Sequence, residues 1–281
     1  MNAQRRTVLA GLAALPFARA ARAEDAEPAE IWSGLAAQIF QDRAIGDGRD
    51  IVALDAPYRA EDAALVPVTL HMLPGPDDAR RIRRVTLVID QNPSPVAAEI
   101  TLDGANTLAW LATNIRVNSY TDLHLVAELA DGSLHAVRRF VKAAGGCSAP
   151  ALKNAATGVP LGTLRLRRFA QANGLAQAQL MVRHPNYSGM QMDQMTHLYI
   201  PAHFVQRVEV WRDQRSLLRI DSGISIAENP QFRFAWREEA GREEAGHGEA
   251  GRADSAKDSE IRAAVTDNTG HVFTGSWPPS T

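Results

Sequence analysis

The 281-residue chain is expected to be all-β, with two antiparallel β-sandwiches in tandem behind one short N-terminal helix. Three observations lead there. Short apolar or alternating runs recur between turn residues, a helical period holds only in the first segment, and the series of runs breaks once, around residues 145–160.

Residues 31–40 place Ile31, Trp32, Leu35 and Ile39 at helical spacing. After Gly46-Asp47-Gly48 the pattern becomes β-rich. Residues 65–73 read as a strand whose Pro67 confines it to an edge or a strand start. Residues 82–90 alternate, Asn92-Pro93-Ser94-Pro95 turns the chain, and 96–102, 108–117 and 122–129 continue the series. Asp131-Gly132 signals a hairpin into 134–141, the last strand before the break. The second series has strands at 164–169, 177–182, 205–211, 217–220 and 232–236. A closing hairpin, 261–266 and 271–274, turns through Asp267-Asn268-Thr269-Gly270. Residues 237–260 repeat Arg-Glu-Glu-Ala-Gly and are almost free of large apolar side chains, so burial cannot offset their ordering entropy. They read as a solvated insertion or an acidic binding element.

Composition narrows the function classes. A net charge of −2 and a pI near 6.5 argue against nucleic acid or an anionic membrane as the main partner. Zinc spacing, a P-loop, a dinucleotide glycine fingerprint and Gly-x-Ser-x-Gly are all absent from the sequence. Residues 1–23 read as a Tat-like signal peptide: Arg5-Arg6 precedes an apolar run at 8–17, and Ala18-Arg19-Ala20 and Ala21-Arg22-Ala23 offer cleavage patterns. The run is too short to span a membrane. A soluble periplasmic protein beginning near Glu24 is expected.

The sequence has one cysteine, Cys147, behind Gly145 and Gly146 and before Ser148-Ala149-Pro150. A lone cysteine in an exported chain is either buried and inert or a reactive thiol. Glycine on one side and Ser-Ala-Pro-Ala on the other favour neither helix nor strand, so an exposed thiol on a mobile segment is expected. An interdomain linker with an incidental cysteine is the other reading. Arg138, Arg139 and Lys142 lie just upstream; they could favour a thiolate or an anionic adduct, or be solvated charges on an outer strand face.

The motifs resemble a known pair of families. Ala56-Pro57-Tyr58-Arg59-Ala60-Glu61, Leu65-Val66-Pro67-Val68, Asp90-Gln91-Asn92-Pro93-Ser94-Pro95, Ala127-Glu128-Leu129-Ala130-Asp131-Gly132-Ser133 and Gly145-Gly146-Cys147 resemble SoxY. His184-Pro185, Ile200-Pro201-Ala202-His203-Phe204-Val205, Asn229-Pro230-Gln231-Phe232-Arg233-Phe234 and Thr266-Asp267-Asn268-Thr269-Gly270 resemble SoxZ, its partner in the periplasmic sulfur-oxidation carrier. The chain looks like the fused SoxYZ-like carriers associated with quinoprotein dehydrogenases. The resemblance implies two immunoglobulin-like sandwiches, at 30–144 and 161–281, in intramolecular contact and joined by a carrier loop and linker at 145–160. It implies a non-enzymatic carrier without a cofactor, holding sulfur intermediates covalently on Cys147, with Gly145 and Gly146 giving the arm its freedom. Residues 141–147 could reach about 20 Å at ~3.4 Å each. Partners would be proteins of a periplasmic sulfur-oxidation or quinoprotein dehydrogenase system. In SoxY, Gly-Gly-Cys-Gly-Gly ends the chain; here the arm is tethered at both ends.

Other readings remain. The sandwiches could form a non-covalent adaptor for a quinoprotein dehydrogenase. Met190, Met192 and Met195, with His184 and His197, form a soft donor set of the kind that binds Cu(I). His203 is expected to hydrogen-bond a turn or the domain interface, and His71, His124 and His135 to be incidental. Thiol hydrolase chemistry is unsupported, because no histidine is held against Cys147 on a rigid scaffold.

Overall fold

The computed structural model describes residues 28–103, 105, 107–150, 158–237 and 259–279. The expected leader at 1–23 lies outside them, as do linker residues 151–157 and insertion residues 238–258.

The elements follow the expected order. Helix α1 (Pro28–Phe40) precedes β1 (Ile45–Asp47), β2 (Val52–Asp55), β3 (Val66–Met72), β4 (Ile82–Ile89), β5 (Val96–Thr101), β6 (Leu108–Ile115), β7 (Thr121–Leu129) and β8 (Leu134–Val141). The second series is β9 (Leu164–Ala172), β10 (Leu175–Val182), β11 (Val205–Arg212), β12 (Arg215–Ser222), β13 (Gln231–Arg237), β14 (Ile261–Asp267) and β15 (Val272–Trp277). Apolar side chains alternate inward, as in β3 and β10, where every second residue is buried. Pro67 sits near the start of β3, exposed and beyond the reach of β2, which pairs only from Thr69 onward. β1 and β2 were not expected: both are very short and lie among Gly and Asp. β1 pairs β8 in parallel, and the other strand pairs are antiparallel.

The all-β sandwich architecture is as expected, with two tandem series of strands in intramolecular contact, although each series was expected to bury its own core. Instead the two series share both sheets. One sheet runs β1-β8-β7-β4-β5-β12-β11-β14-β15 and the other β2-β3-β6-β13-β10-β9. The joints are β5 with β12, through Ile100↔Ile220 and its neighbours, and β6 with β13, through Leu111↔Phe234. Each joint pairs two strands that would otherwise present unpaired backbone at a sheet edge. The core is correspondingly one cluster, running from Val52, Leu70 and Leu87 to Leu180, Val208, Phe234 and Val265. On the outer face of the larger sheet, α1 packs Phe40 against Val126 and Leu134, and Trp32 stacks on His124 with ring centroids 3.6 Å apart.

A shared core predicts one cooperative unfolding transition. Phe234→Ala, in the second series, is expected to cost about 3–5 kcal/mol and to loosen β3 and β6 of the first series together with β13. Calorimetry combined with amide exchange checks this; two resolved transitions, with β3 unaffected, would contradict it.

Candidate functional site

Where β6 meets the second series, the chain leaves the strand at Arg116 and runs beside residues 224–227. Asn92, only 4% exposed, donates from Nδ2 to the Arg116 carbonyl and to Ser225 Oγ, both at 2.8 Å. Its Oδ1 accepts the Asn118 N–H at 2.8 Å. Arg116 N–H donates to the Ser225 carbonyl at 2.7 Å, and its Nη1 donates to the Ile224 and Ile226 carbonyls at 3.2 and 2.5 Å. The Ile226 carbonyl also accepts Asn186 Nδ2 at 3.0 Å, and Asn186 Oδ1 accepts the Val205 N–H at 2.8 Å. Buried amide side chains thus satisfy carbonyls on both sides of the joint.

Cys147 lies on this seam, and it is not on an exposed mobile segment: its relative exposure is 0%. Gly146 serves a close approach and Gly145 a left-handed turn. A Cβ on Gly146 would stand 2.0 Å from the Ala63 carbonyl oxygen, and Gly145 takes the left-handed φ of +80°. Gly145 N–H donates to the Asn118 carbonyl at 2.8 Å, and Gly146 N–H to the Val117 carbonyl at 2.9 Å. From the second series, Ser188 Oγ donates to the Cys147 carbonyl at 2.5 Å and Gln191 Nε2 to the Ala149 carbonyl at 3.1 Å. Ser188 and Gln191 are themselves buried and linked, with Ser188 N–H donating to Gln191 Oε1 at 3.1 Å. Loop 184–191 therefore clasps the cysteine loop. Tyr187 and His203 brace the clasp by exchanging backbone hydrogen bonds at 2.7 and 3.1 Å.

Burial pushes the Cys147 thiol up to about 11, and the positive charge of Arg116 pulls against that shift. The upstream cations do not take part. Arg138 pairs with Asp122 at 3.3 Å, Arg139 is exposed, and the Lys142 ammonium sits 5.0 Å over the Tyr58 ring. The solvated-surface reading fits Arg138 and Arg139. Arg116, Ser188 and Gln191 were not singled out from sequence, because the contacts that define them cross between the two series.

The histidines sort by contact. His203 Nε2 donates to Asp267 Oδ2 at 3.0 Å, and Asp267 Oδ1 accepts the Thr269 and His271 N–H groups of the turn at 2.9 and 3.0 Å. His203 thus bonds the turn as expected. His184 is fully buried, its Nε2 3.8 Å from Asp267 Oδ2 and without a hydrogen-bond partner. Burial pushes this imidazole down to about 4, so the ring is neutral. Among the described residues His184, His203 and Asp267 are the one group whose ligand atoms converge, all within 4.8 Å. The hydrogen bonding disfavours a cation there. Asn186 N–H donates to His184 Nδ1 at 3.1 Å, which leaves the single proton of the neutral ring on Nε2 and no lone pair facing the centre. Of the methionine set, Met192 and Met195 are 43% and 91% exposed, Met190 is half-buried and His197 is exposed, whereas His184 is fully buried beside Asp267. His124 and His71 are not incidental; each meets a carboxylate, Asp90 at 3.0 Å and Asp55 at 2.8 Å. His135 Nδ1 meets the Asp47 carbonyl at 3.0 Å.

The buried thiol ties stability to alkaline pH. The folded value, about 11, lies above the ordinary 9.0, so the contribution of the neutral thiol is complete below pH 9 and lost as pH rises through 11. Melting temperature should therefore fall across that window, and Cys147→Ala should flatten the fall; an unchanged slope would show that the thiol is not buried in solution.

Two family models match the chain in tandem: "Sulfur oxidation protein SoxY" over residues 36–147 and "Sulphur oxidation protein SoxZ" over residues 164–245. Among solved structures, the sulfur carrier protein SoxY from Chlorobium limicola f thiosulfatophilum is 21% identical with a TM-score of 0.34, covering 41% of this chain and 94% of that one. Superoxide reductase (neelaredoxin) from Ignicoccus hospitalis is 14% identical with a TM-score of 0.29, covering 33% of this chain and 79% of that one. No curated protein matches. The first match ends on Cys147 itself and the second begins with β9, so the chain carries a SoxY and a SoxZ domain in tandem, the arrangement of a fused SoxYZ-like protein.

Proposed function

We propose that the protein is a periplasmic carrier that holds sulfur-containing intermediates covalently on Cys147 and presents them to partner enzymes, in sulfur oxidation or in quinoprotein dehydrogenase-linked metabolism. The observation that carries this reading is the position of the chain's one cysteine: it ends the SoxY match and is clasped by side chains of the SoxZ half. The carrier itself needs no cofactor and catalyses no turnover of its own.

In the closed loop the thiol is shielded and protonated, and neither condition suits a nucleophile. Loading therefore proceeds from an opened loop. Opening breaks the bonds at Gly145, Gly146, Cys147 and Ala149. At about 1 kcal/mol net each, their sum leaves the open form on the order of one molecule in a thousand, within the range of ordinary local opening. In the open form Cys147 loses its proton to solvent and attacks the outer sulfur of a partner's persulfide or thiosulfonate adduct. A sulfur–sulfur bond forms at Cys147, the partner's breaks, and the electron pair leaves on the partner's thiolate. The exchange is redox-neutral.

Burial of the thiol also favours a second reading, a non-covalent adaptor for a quinoprotein dehydrogenase in which Cys147 is vestigial. Intact mass of the mature protein from cells with the pathway active, with and without reductant, separates the two. A reductant-labile increment mapping to Cys147 is the expected result; a bare thiol, with Cys147→Ser fully functional, would establish the adaptor. Ser188→Ala should speed alkylation of Cys147 in the native protein roughly five-fold, the effect of removing one hydrogen bond of about 1 kcal/mol. An unchanged rate would mean that the clasp does not limit access.

A further inference from the structure

The outer face of the smaller sheet carries charge of one sign. β9, β10 and β13 contain no Asp or Glu, and Arg165, Arg167 and Arg233 lie on the face opposite the buried Leu180, Val182, Phe232 and Phe234. Register sets them in rows across the strands. Arg165, Met181 and Gln231 form one row, Arg167, Gln179 and Arg233 the next, and Phe169, Gln177, Ala235 and Trp110 of β6 the third. One row before these, Arg183 N–H donates to the Thr163 carbonyl at 2.9 Å, which adds Arg183 to the same face. On the larger sheet, by contrast, Arg207 and Arg219 both pair with Asp221, at 2.7 and 2.8 Å.

Among the described residues Arg165, Arg167 and Arg233 form no ion pair. The guanidinium of Arg167 lies 4.8 Å from the Phe169 ring centroid and that of Arg233 4.1 Å from it, so two like charges share one ring. Arg233 also lies 5.6 Å from the Trp110 ring and donates from Nη2 to Gln177 Oε1 at 2.9 Å, while its buried Nε has no hydrogen-bond partner. Stacking fixes these guanidiniums in place without neutralising them. Arg165 and Arg167 on edge strand β9 would by themselves serve to keep that edge from pairing. Arg233 does not fit that account, because β13 lies between β10 and β6 and has no free edge. At the Arg183 end the face sinks into a groove of about 300 Å³, lined by Val159, Met181 and Val182 with Arg165 and Arg183; among the described residues no carboxylate lines it.

We propose that this strip binds an acidic, extended segment of a partner protein, its carboxylates meeting the arginines and an apolar side chain entering the groove. Length decides between a segment and a small anion. From the Thr163–Arg183 row to the Phe169–Trp110 row is about 20 Å along β9, the span of about six extended residues. The groove end of the strip abuts the clasp of Cys147: Arg183 precedes His184, whose carbonyl accepts the Asn229 N–H at 2.8 Å. A partner held on the strip therefore has its body beside the cysteine loop. Binding of the segment stands on this face alone; that the partner loads or unloads Cys147 rests on the carrier reading above.

The test uses the full chain and a fluorescein-labelled peptide of alternating glutamate and valine, followed by fluorescence anisotropy, with free glutarate as competitor. Arg165→Gln combined with Arg167→Gln removes two exposed charges and should weaken peptide binding about ten-fold, each exposed pair contributing up to about five-fold. Arg207→Gln combined with Arg219→Gln removes the same charge from the larger sheet and should leave binding unchanged. A peptide that does not bind overturns the strip. Binding that falls equally in both double variants is attraction to net charge and overturns it too. Glutarate that displaces the peptide at equal carboxylate concentration overturns the extended segment in favour of a small anion in the groove. The readout does not use the thiol, so Cys147→Ser should bind the peptide as the wild type does. A bare thiol in the mass experiment then removes the partner's loading role and keeps the strip, whereas a Cys147 adduct without peptide binding keeps carriage and removes the strip.

Discussion

The structure depends on edge-to-edge strand pairing between its two halves. β5 meets β12 in one sheet and β6 meets β13 in the other, so four strand edges are satisfied in one arrangement and the two cores become one. Either half alone would leave two edges and the apolar flank of its sheets in water. Fusing the halves in one chain makes their meeting intramolecular and raises its effective concentration.

The thiol site is a consequence of that joint. The cysteine loop crosses the seam just after the first half ends, and the seam supplies what the loop lacks. Ser188 and Gln191 take its carbonyls, and the backbone at Val117 and Asn118 takes its N–H groups. A tail free at one end could avoid such contacts. A loop tethered at both ends is held across the joint and takes them.

The strands were legible because a side-chain period of 2 is a local property: the alternation in 65–73, 82–90 and 232–236 could be assigned without knowing any partner. For His203 a bond to a turn or to the domain interface was legible, but not which one, because the carboxylate it meets, Asp267, lies 64 residues away. β1 and β2 were not legible, because their short spans amid Gly and Asp carry no period to read. The glycines before Cys147 were misread because glycine serves mobility, left-handed turns and close approach alike, and only the fold, through the φ of Gly145 and the Ala63 carbonyl beside Gly146, distinguishes them.

By itself the sequence determined an all-β chain in two series, a family pair in tandem, and one thiol between them. The tertiary structure alone decided that the series share their sheets, that the thiol is shielded, and that Arg116 ties the end of β6 to the carbonyls of Ile224 and Ile226. The reason is separation along the chain. Local periodicity is written in neighbouring residues, whereas Arg116 meets its carbonyl acceptors 108 and 110 residues downstream and Ser188 reaches back 41 residues to Cys147. Contacts of that span exist only once the sheets have joined.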